Sequence, residues 1–232
     1  MIDRYSITAS IEQIRERFSA DVPDFVQPRY NAAPTQLLPV ITSNSPQGIS
    51  TFYWGTSPAW AKNKMLSEKL INVRVEQIDE KVSLQKALKK NRCIVPADGF
   101  YAWKKAGKKT MIPYRFVCKD QPLFSFAGFW DEYEDTDGNE FHTFTIITTQ
   151  ANTLVSTVYD RMPVILDRDA EAKWLAKTTS DEELKSLLVP YSAEQITLYS
   201  VSPRISDTST DVASLIIPAP PADQHGNLTL FD

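Results

Sequence analysis

Ala97-Asp98-Gly99-Phe100-Tyr101-Ala102-Trp103, near the middle of the chain, decides the fold, because the segments around it read as short strands rather than helices. Residues 100–104 form one such strand and residues 93–95 another just before it. Residues 112–118, 123–133 and 141–148 continue the series, rich in β-branched and aromatic side chains. Ala106-Gly107 and Thr136-Asp137-Gly138-Asn139 punctuate the series as hairpin turns, since glycine there can take a positive φ. Upstream, residues 36–43 and 49–55 read as strands separated by the turn-rich Ser43-Asn44-Ser45-Pro46-Gln47-Gly48. Ser10 starts a capping-box pattern with Gln13, and Ile11, Ile14 and Phe18 share a helical face. Residues 82–90 predict a short helix. Downstream come a helical turn over 152–159, a buried strand over 162–166, amphipathic helices over 168–176 and 181–188, and a last strand over 196–201. Strands dominate without alternating regularly with helices. The expectation is an α+β single domain, a curved or barrel-like, mostly antiparallel sheet flanked by helices.

The 232 residues carry no Pro/Gly/Ser-rich internal linker, and 42% are hydrophobic, enough for a sizeable core. One domain over 1–217 is expected. Pro218 to Gly226 reads as an extended, flexible linker into a tail over 218–232. The net charge of −4 argues against a broad basic face for nucleic acid. The charge is uneven, however. Lys86, Lys89, Lys90, Arg92, Lys104, Lys105, Lys108 and Lys109 form one run, either a local basic surface or solvated lysines on a helix and a hairpin tip. Acidic residues gather at 131–135 and 181–183. Cys93 and Cys118 sit in apolar strand-like runs, which points to a reducing cytoplasm rather than a disulfide framework. The charged Asp3-Arg4 start and the short apolar runs speak against a signal peptide or a membrane helix. His142 reads as a surface or packed strand residue and His225 as part of the tail. With two isolated cysteines they make no metal-ligand spacing, so neither metal nor cofactor is expected. There is no phosphate-binding glycine loop and no serine-nucleophile motif.

Four segments, in order, carry a family resemblance: Met1-Ile2-Asp3-Arg4-Tyr5, Leu70-Ile71-Asn72-Val73-Arg74, the central Asp98-to-Trp103 stretch, and Tyr159-Asp160-Arg161-Met162-Pro163. Together they resemble the SOS response-associated peptidase (SRAP) family, proteins that trap abasic sites in single-stranded DNA. The resemblance spans Arg4 to about Ile217 and implies the same architecture. It also implies an activity of abasic-site crosslinking and autopeptidase cleavage. In that family, removal of the first Met exposes an N-terminal Cys whose amine and thiol form a thiazolidine with the abasic aldehyde. A Glu and a His assist with protons, and an Asn helps hold the N-terminus.

Here the Cys position is Ile2, the Glu position Ala102, the His position Tyr159, and Asp3 replaces a Gly. Ile2 has no thiol, so a thiazolidine is chemically excluded. A Met1 α-amine of pKa ~7.7–8.0 could still form a reversible Schiff base, but Ala102 lacks the carboxylate that would shuttle its proton, and the Tyr159 phenol (pKa ~10) is a poor base at neutral pH. The reading is a pseudoenzyme whose former pocket is smaller and more apolar. Binding positions persist: Asn72 at the family's Asn, Arg4, Arg74 and Arg161 at DNA-facing arginines, Trp60 at a stacking aromatic and Thr148 at a strand end facing the site. Arginine suits phosphate through its planar fork, and aromatic faces grip single strands without sequence preference. The bland alternatives stay open: ion pairs of Arg4 and Arg161 with Asp98 and Asp160, a core Trp60, a turn-satisfying Asn72.

The chain ends Asn227-Leu228-Thr229-Leu230-Phe231-Asp232, which resembles the bacterial sliding-clamp-binding pentapeptide with Asn for Gln. Leu228, Leu230 and Phe231 would be its anchors; alternatively the tail packs back to bury Phe231. Three function classes follow. The first is a non-covalent binder of single-stranded or abasic DNA in the SOS response, cytoplasmic and nucleoid-associated when bound. The second is an interaction protein working through its tail or an active relative. The third is a residual Schiff-base lyase using the Met1 amine.

Overall fold

The computed structural model describes residues 2–55, 71–107, 110–134 and 139–228. In chain order its strands are β1 (Tyr5–Ile7), β2 (Arg29–Ala32), β3 (Leu37–Thr42), β4 (Ser45–Trp54), β5 (Asn72–Arg74), β6 (Arg92–Ala97), β7 (Gly99–Lys105), β8 (Met111–Cys118), β9 (Phe124–Glu134), β10 (Glu140–Gln150), β11 (Arg161–Pro163), β12 (Ile165–Leu166) and β13 (Ile196–Ser200). The α-helices are α1 (Ile11–Phe18), α2 (Val82–Lys90), α3 (Arg168–Leu175) and α4 (Asp181–Ser186).

Five strands close a ring. β4, β3, β6, β9 and β10 pair antiparallel in that order, and β10 returns to β4 in parallel. Closure removes open edges from the ring. β5 and β11 extend β10, while β12 extends β9. A second, wholly antiparallel sheet runs β13-β8-β7-β1-β2. Aromatic side chains join the two layers. The Tyr5 ring meets Trp54 at 5.2 Å and Phe126 at 5.8 Å between centroids, and Phe100 meets Phe126 at 6.3 Å. The α+β, barrel-like expectation holds.

The period-2 alternation of a strand is plain in β7. Phe100 and Ala102 face the main core, while Tyr101 and Trp103 face a smaller cluster with Val201, Ile205 and Leu215. The Asp98-Gly99 turn before it holds a buried ion pair. Asp98 Oδ1 accepts from Ser6 Oγ (2.6 Å) and from Arg115 Nη2 (2.9 Å), and Oδ2 accepts from the Thr8 hydroxyl (2.6 Å) and backbone amide. Arg115 also donates to Tyr199 Oη at 2.7 Å. A Cβ on Gly99 would stand 2.7–2.9 Å from the Arg115 guanidinium, so a larger residue would displace Arg115 from this pair.

The Ser10–Gln13 capping box is present in both directions, and residues 82–90 are helical as expected. Other boundaries moved. β4 starts at Ser45, because the Thr42 hydroxyl accepts the Ser45 amide and tightens the turn, while a bulge absorbs residues 46–48. The strand read over 162–166 divides at Val164, its amide donating to Ile147 on β10 and its carbonyl accepting from Ala127 on β9. Three strands, β1, β2 and β5, escaped notice. At three or four residues they are too short for periodicity to register. Arg92 is no part of a basic surface. It is buried, and its guanidinium donates to the carbonyls of Leu88 and Lys89 at the end of α2 and of Trp174 and Ala176 at the end of α3. A cation there also opposes the negative helix ends.

Residues 218–222 run back along β13. The Ala219 amide donates to Ser200 O (3.0 Å), and the Ser200 hydroxyl donates to Ala219 O (2.7 Å). Residues 223–227 then turn, with Gly226 at φ 82°. Asp223 accepts from the His225 and Asn227 amides, and Ala222 bridges to Leu228.

Candidate functional site

The site forms where the N-terminal residues run past β5. The Arg4 carbonyl accepts the Tyr101 amide, extending the β1–β7 pairing beyond Tyr5. The Asn72 side chain then donates to the Ile2 carbonyl at 2.6 Å. Asn72 reaches it because β5 lies parallel on β10, with Asn72 beside Ile146 and Arg74 beside Thr148. A close approach seats β5: Gly55, at φ 81°, would place a Cβ 2.3 Å from the Ile71 side chain. Thr148 donates through Oγ1 to Val73 O at 3.2 Å. From β11, Arg161 donates to Thr148 O at 2.6 Å. The tertiary structure thus gathers residues 2–4, Asn72, Arg74, Thr148 and Arg161, which are scattered over 160 positions of sequence.

Tyr159 belongs to the same neighbourhood. Burial raises its phenol above the usual range, the charges of Asp160 and Asp3 add to this, and Arg74 and Arg161 oppose it. Burial likewise raises the Asp3 carboxyl, against Arg4. Ile2 (0% exposed) and Ala102 (2%) are packed in the main core. Of Ile2, Ala102 and Tyr159, only Tyr159 reaches solvent.

The ion pairs differ from those read in the sequence. Arg4 pairs with its neighbour Asp3, donating to its carbonyl at 2.6 Å and lying 3.6 Å from its carboxylate; Asp98 is taken by Arg115. Arg161 is clasped in bidentate fashion by Glu76 (2.7 and 3.0 Å) and not by Asp160. This holds the Glu76 carboxyl below its usual value. Glu76 is a group that sequence reading missed, and Asp3 was read only as a replacement for a Gly. Nothing in the local pattern marks Glu76, since its partner is 85 residues away. Arg74 is exposed at the end of β5.

Met1, Trp60, Lys108, Lys109, Leu230 and Phe231 lie outside the described residues, and Leu228 is 67% exposed. His142 stacks on Phe52 at 4.7 Å, 3.3 Å from Glu132. Both cysteines are buried free thiols, and burial pushes Cys118 up to about 12. Among the described residues no cluster of three or more His, Cys, Asp or Glu could hold a metal ion, and no helix is long and apolar enough to cross a membrane.

Comparison with known proteins bears on the family and the fold. The model of the SOS response associated peptidase (SRAP) family matches residues 1–208. The abasic site processing protein YoqW of Bacillus subtilis is 39% identical over 221 residues, covering 93% of this chain and 99% of that protein. The abasic site processing protein HMCES of Rattus norvegicus is 29% identical over 238 residues, covering 85% of this chain and 67% of that protein. A crystal structure of a Bacteroides thetaiotaomicron protein superposes with a TM-score of 0.84 at 30% identity, covering 93% of this chain and 99% of that one. With the fold, the ordered motifs and the family model in agreement, the chain belongs to the SRAP family.

Proposed function

We propose that this chain binds single-stranded DNA at abasic sites, in the response to DNA damage, without covalently trapping them. The observation that carries the reading is the Asn72–Ile2 bond. It holds residue 2, which has no thiol, beside Arg74, Thr148, Tyr159 and Arg161. The relatives named as abasic site processing proteins support the substrate class. Arg74 and Arg161 serve as phosphate contacts and Trp60 as a stacking contact. Arg4, held by Asp3, fixes the N-terminal segment.

The test uses an oligonucleotide with one abasic site, read by native gel shift and by denaturing gel after heating without reductant. A shift with no heat-stable band is expected. A heat-stable band overturns the non-covalent reading, and no shift at low salt overturns the DNA reading. An adduct that appears only with borohydride would reveal the Schiff-base alternative. Within the site, Glu76 competes with phosphate for the Arg161 fork. Arg161→Ala should weaken binding about tenfold and flatten its salt dependence, since a charge-assisted contact is worth roughly 1.5–3 kcal/mol. Glu76→Gln should tighten binding by removing the competitor. Equal affinities in all three proteins would reject Arg161 as a phosphate contact.

The exposed Leu228 favours a second reading, in which residues 227–231 engage a bacterial sliding clamp with an affinity on the order of micromolar. Titration of a peptide spanning 222–232 against a clamp checks it, and absence of binding rejects it.

A further inference from the structure

Around residues 2–4 the unmet hydrogen-bonding capacity has a definite pattern. Among the described residues, Asp3 Oδ1, Asn72 Oδ1, Arg4 Nε and Arg161 Nε are buried atoms without a hydrogen-bond partner. Most remaining atoms of these groups are committed. Asp3 Oδ2 faces Arg4, the Asn72 amide nitrogen is spent on Ile2 O, and the terminal Arg161 nitrogens go to Glu76 and Thr148. Two acceptors and two donors are left, and Tyr159 feels the charges of both Asp3 and Arg161. A buried unpaired polar group costs about 1–3 kcal/mol, so a set of them marks a place that a polar ligand completes.

The pattern selects the ligand's chemistry. A phosphodiester offers acceptors only, so it would gain nothing from Asn72 Oδ1 and would be repelled by the Asp3 carboxylate. A hydroxyl can donate to either acceptor and accept from the Arg161 Nε–H. Within a DNA strand an intact nucleotide has no free sugar hydroxyl, since its 3′ and 5′ oxygens are esterified and C1′ bears the base. An abasic residue has one, on C1′ in the ring-closed form or on C4′ in the ring-opened form.

We propose that Asp3 is a specificity-determining residue: with Asn72 it accepts the hydrogen bond of the free sugar hydroxyl that distinguishes an abasic residue from an intact nucleotide. The inference rests on the reading that the chain meets abasic strands. Phosphates stay at the rim, on Arg74 and Arg161, and the sugar enters beside Asp3.

The test compares three single strands on the full chain: intact, carrying a tetrahydrofuran abasic analogue without the hydroxyl, and carrying a borohydride-reduced abasic residue. The reduced residue has hydroxyls but no aldehyde, so no Schiff base confuses the comparison. The parent should bind the reduced strand about tenfold more tightly than the tetrahydrofuran strand, the worth of one hydrogen bond to a charged group. Asp3→Ala should bring that ratio close to one. Asp3→Asn, which keeps an acceptor oxygen, should retain part of it. Asp3 is partly exposed on the surface, and thermal melts confirm that the variants fold. A parent ratio of one, or an unchanged ratio in Asp3→Ala, overturns this inference alone. A parent that binds none of the three strands overturns the DNA reading beneath it as well.

Discussion

Asp98→Ala is expected to destabilise the fold by about 3–5 kcal/mol, because it leaves the Arg115 guanidinium buried without its counter-charge. Arg115 would keep Tyr199 and Ser6 but lose the carboxylate, and Ser6 and Thr8 would each lose an acceptor. For a chain of this size the melting temperature should fall by roughly 10 °C. A thermal melt or urea titration reads the effect, and a shift of only a degree or two would show that the pair does not hold the β6–β7 turn against the second sheet. The prediction bears on function. It makes Asp98-Gly99, the start of the central motif, a structural element: the aspartate anchors Arg115 from the neighbouring strand, and the glycine leaves room for it. Chemistry, where relatives perform it, would fall to other residues of the motif.

Ala102→Glu is expected to be comparably damaging. Ala102 sits on β7 in the main core, opposite Tyr114 of β8. A carboxylate there would be buried in that core, and burying an unpaired charge is among the few mechanisms that cost about 3–5 kcal/mol. Combining Ile2→Cys with it should recover part of the loss, since the smaller side chain frees volume in the same core and the two positions couple. The triple variant Ile2→Cys, Ala102→Glu, Tyr159→His should gain some heat-stable crosslinking to abasic DNA that the parent lacks, with Asp3→Gly as a further step. Denaturant titration of the single and double variants, alongside a denaturing gel, measures both effects. An Ala102→Glu chain as stable as the parent would mean that the position opens to water, and that the core has not closed over it.

Much of the architecture was legible in the sequence, for particular reasons. Long strands such as β9 and β10 announce themselves by aromatic and β-branched runs, the Ser10–Gln13 box by its spacing, and α2 by a single apolar face. These signals are local, because they depend on residues within a few positions of each other. The ordered motifs, from Asp3-Arg4-Tyr5 to Arg161-Met162-Pro163, likewise carried the family from sequence alone, and the side chain at residue 2 excludes a thiol without reference to any structure.

The tertiary structure decided what depends on distant partners. It turned Arg92 from one member of a basic run into a buried cap on two helix ends, a role set by carbonyls at Leu88 and Trp174 that converge only when α2 and α3 both pack against β6. It gave Arg161 to Glu76 rather than to the adjacent Asp160, and Asp98 to Arg115 rather than to Arg4. It also brought Asn72 to the Ile2 carbonyl through a three-residue strand too short to leave a periodic trace. A side chain's charge and shape are written in the sequence, but which groups meet, and which buried atoms are left wanting a partner, follows from the register between strands, and that is settled only when both sheets close over one core.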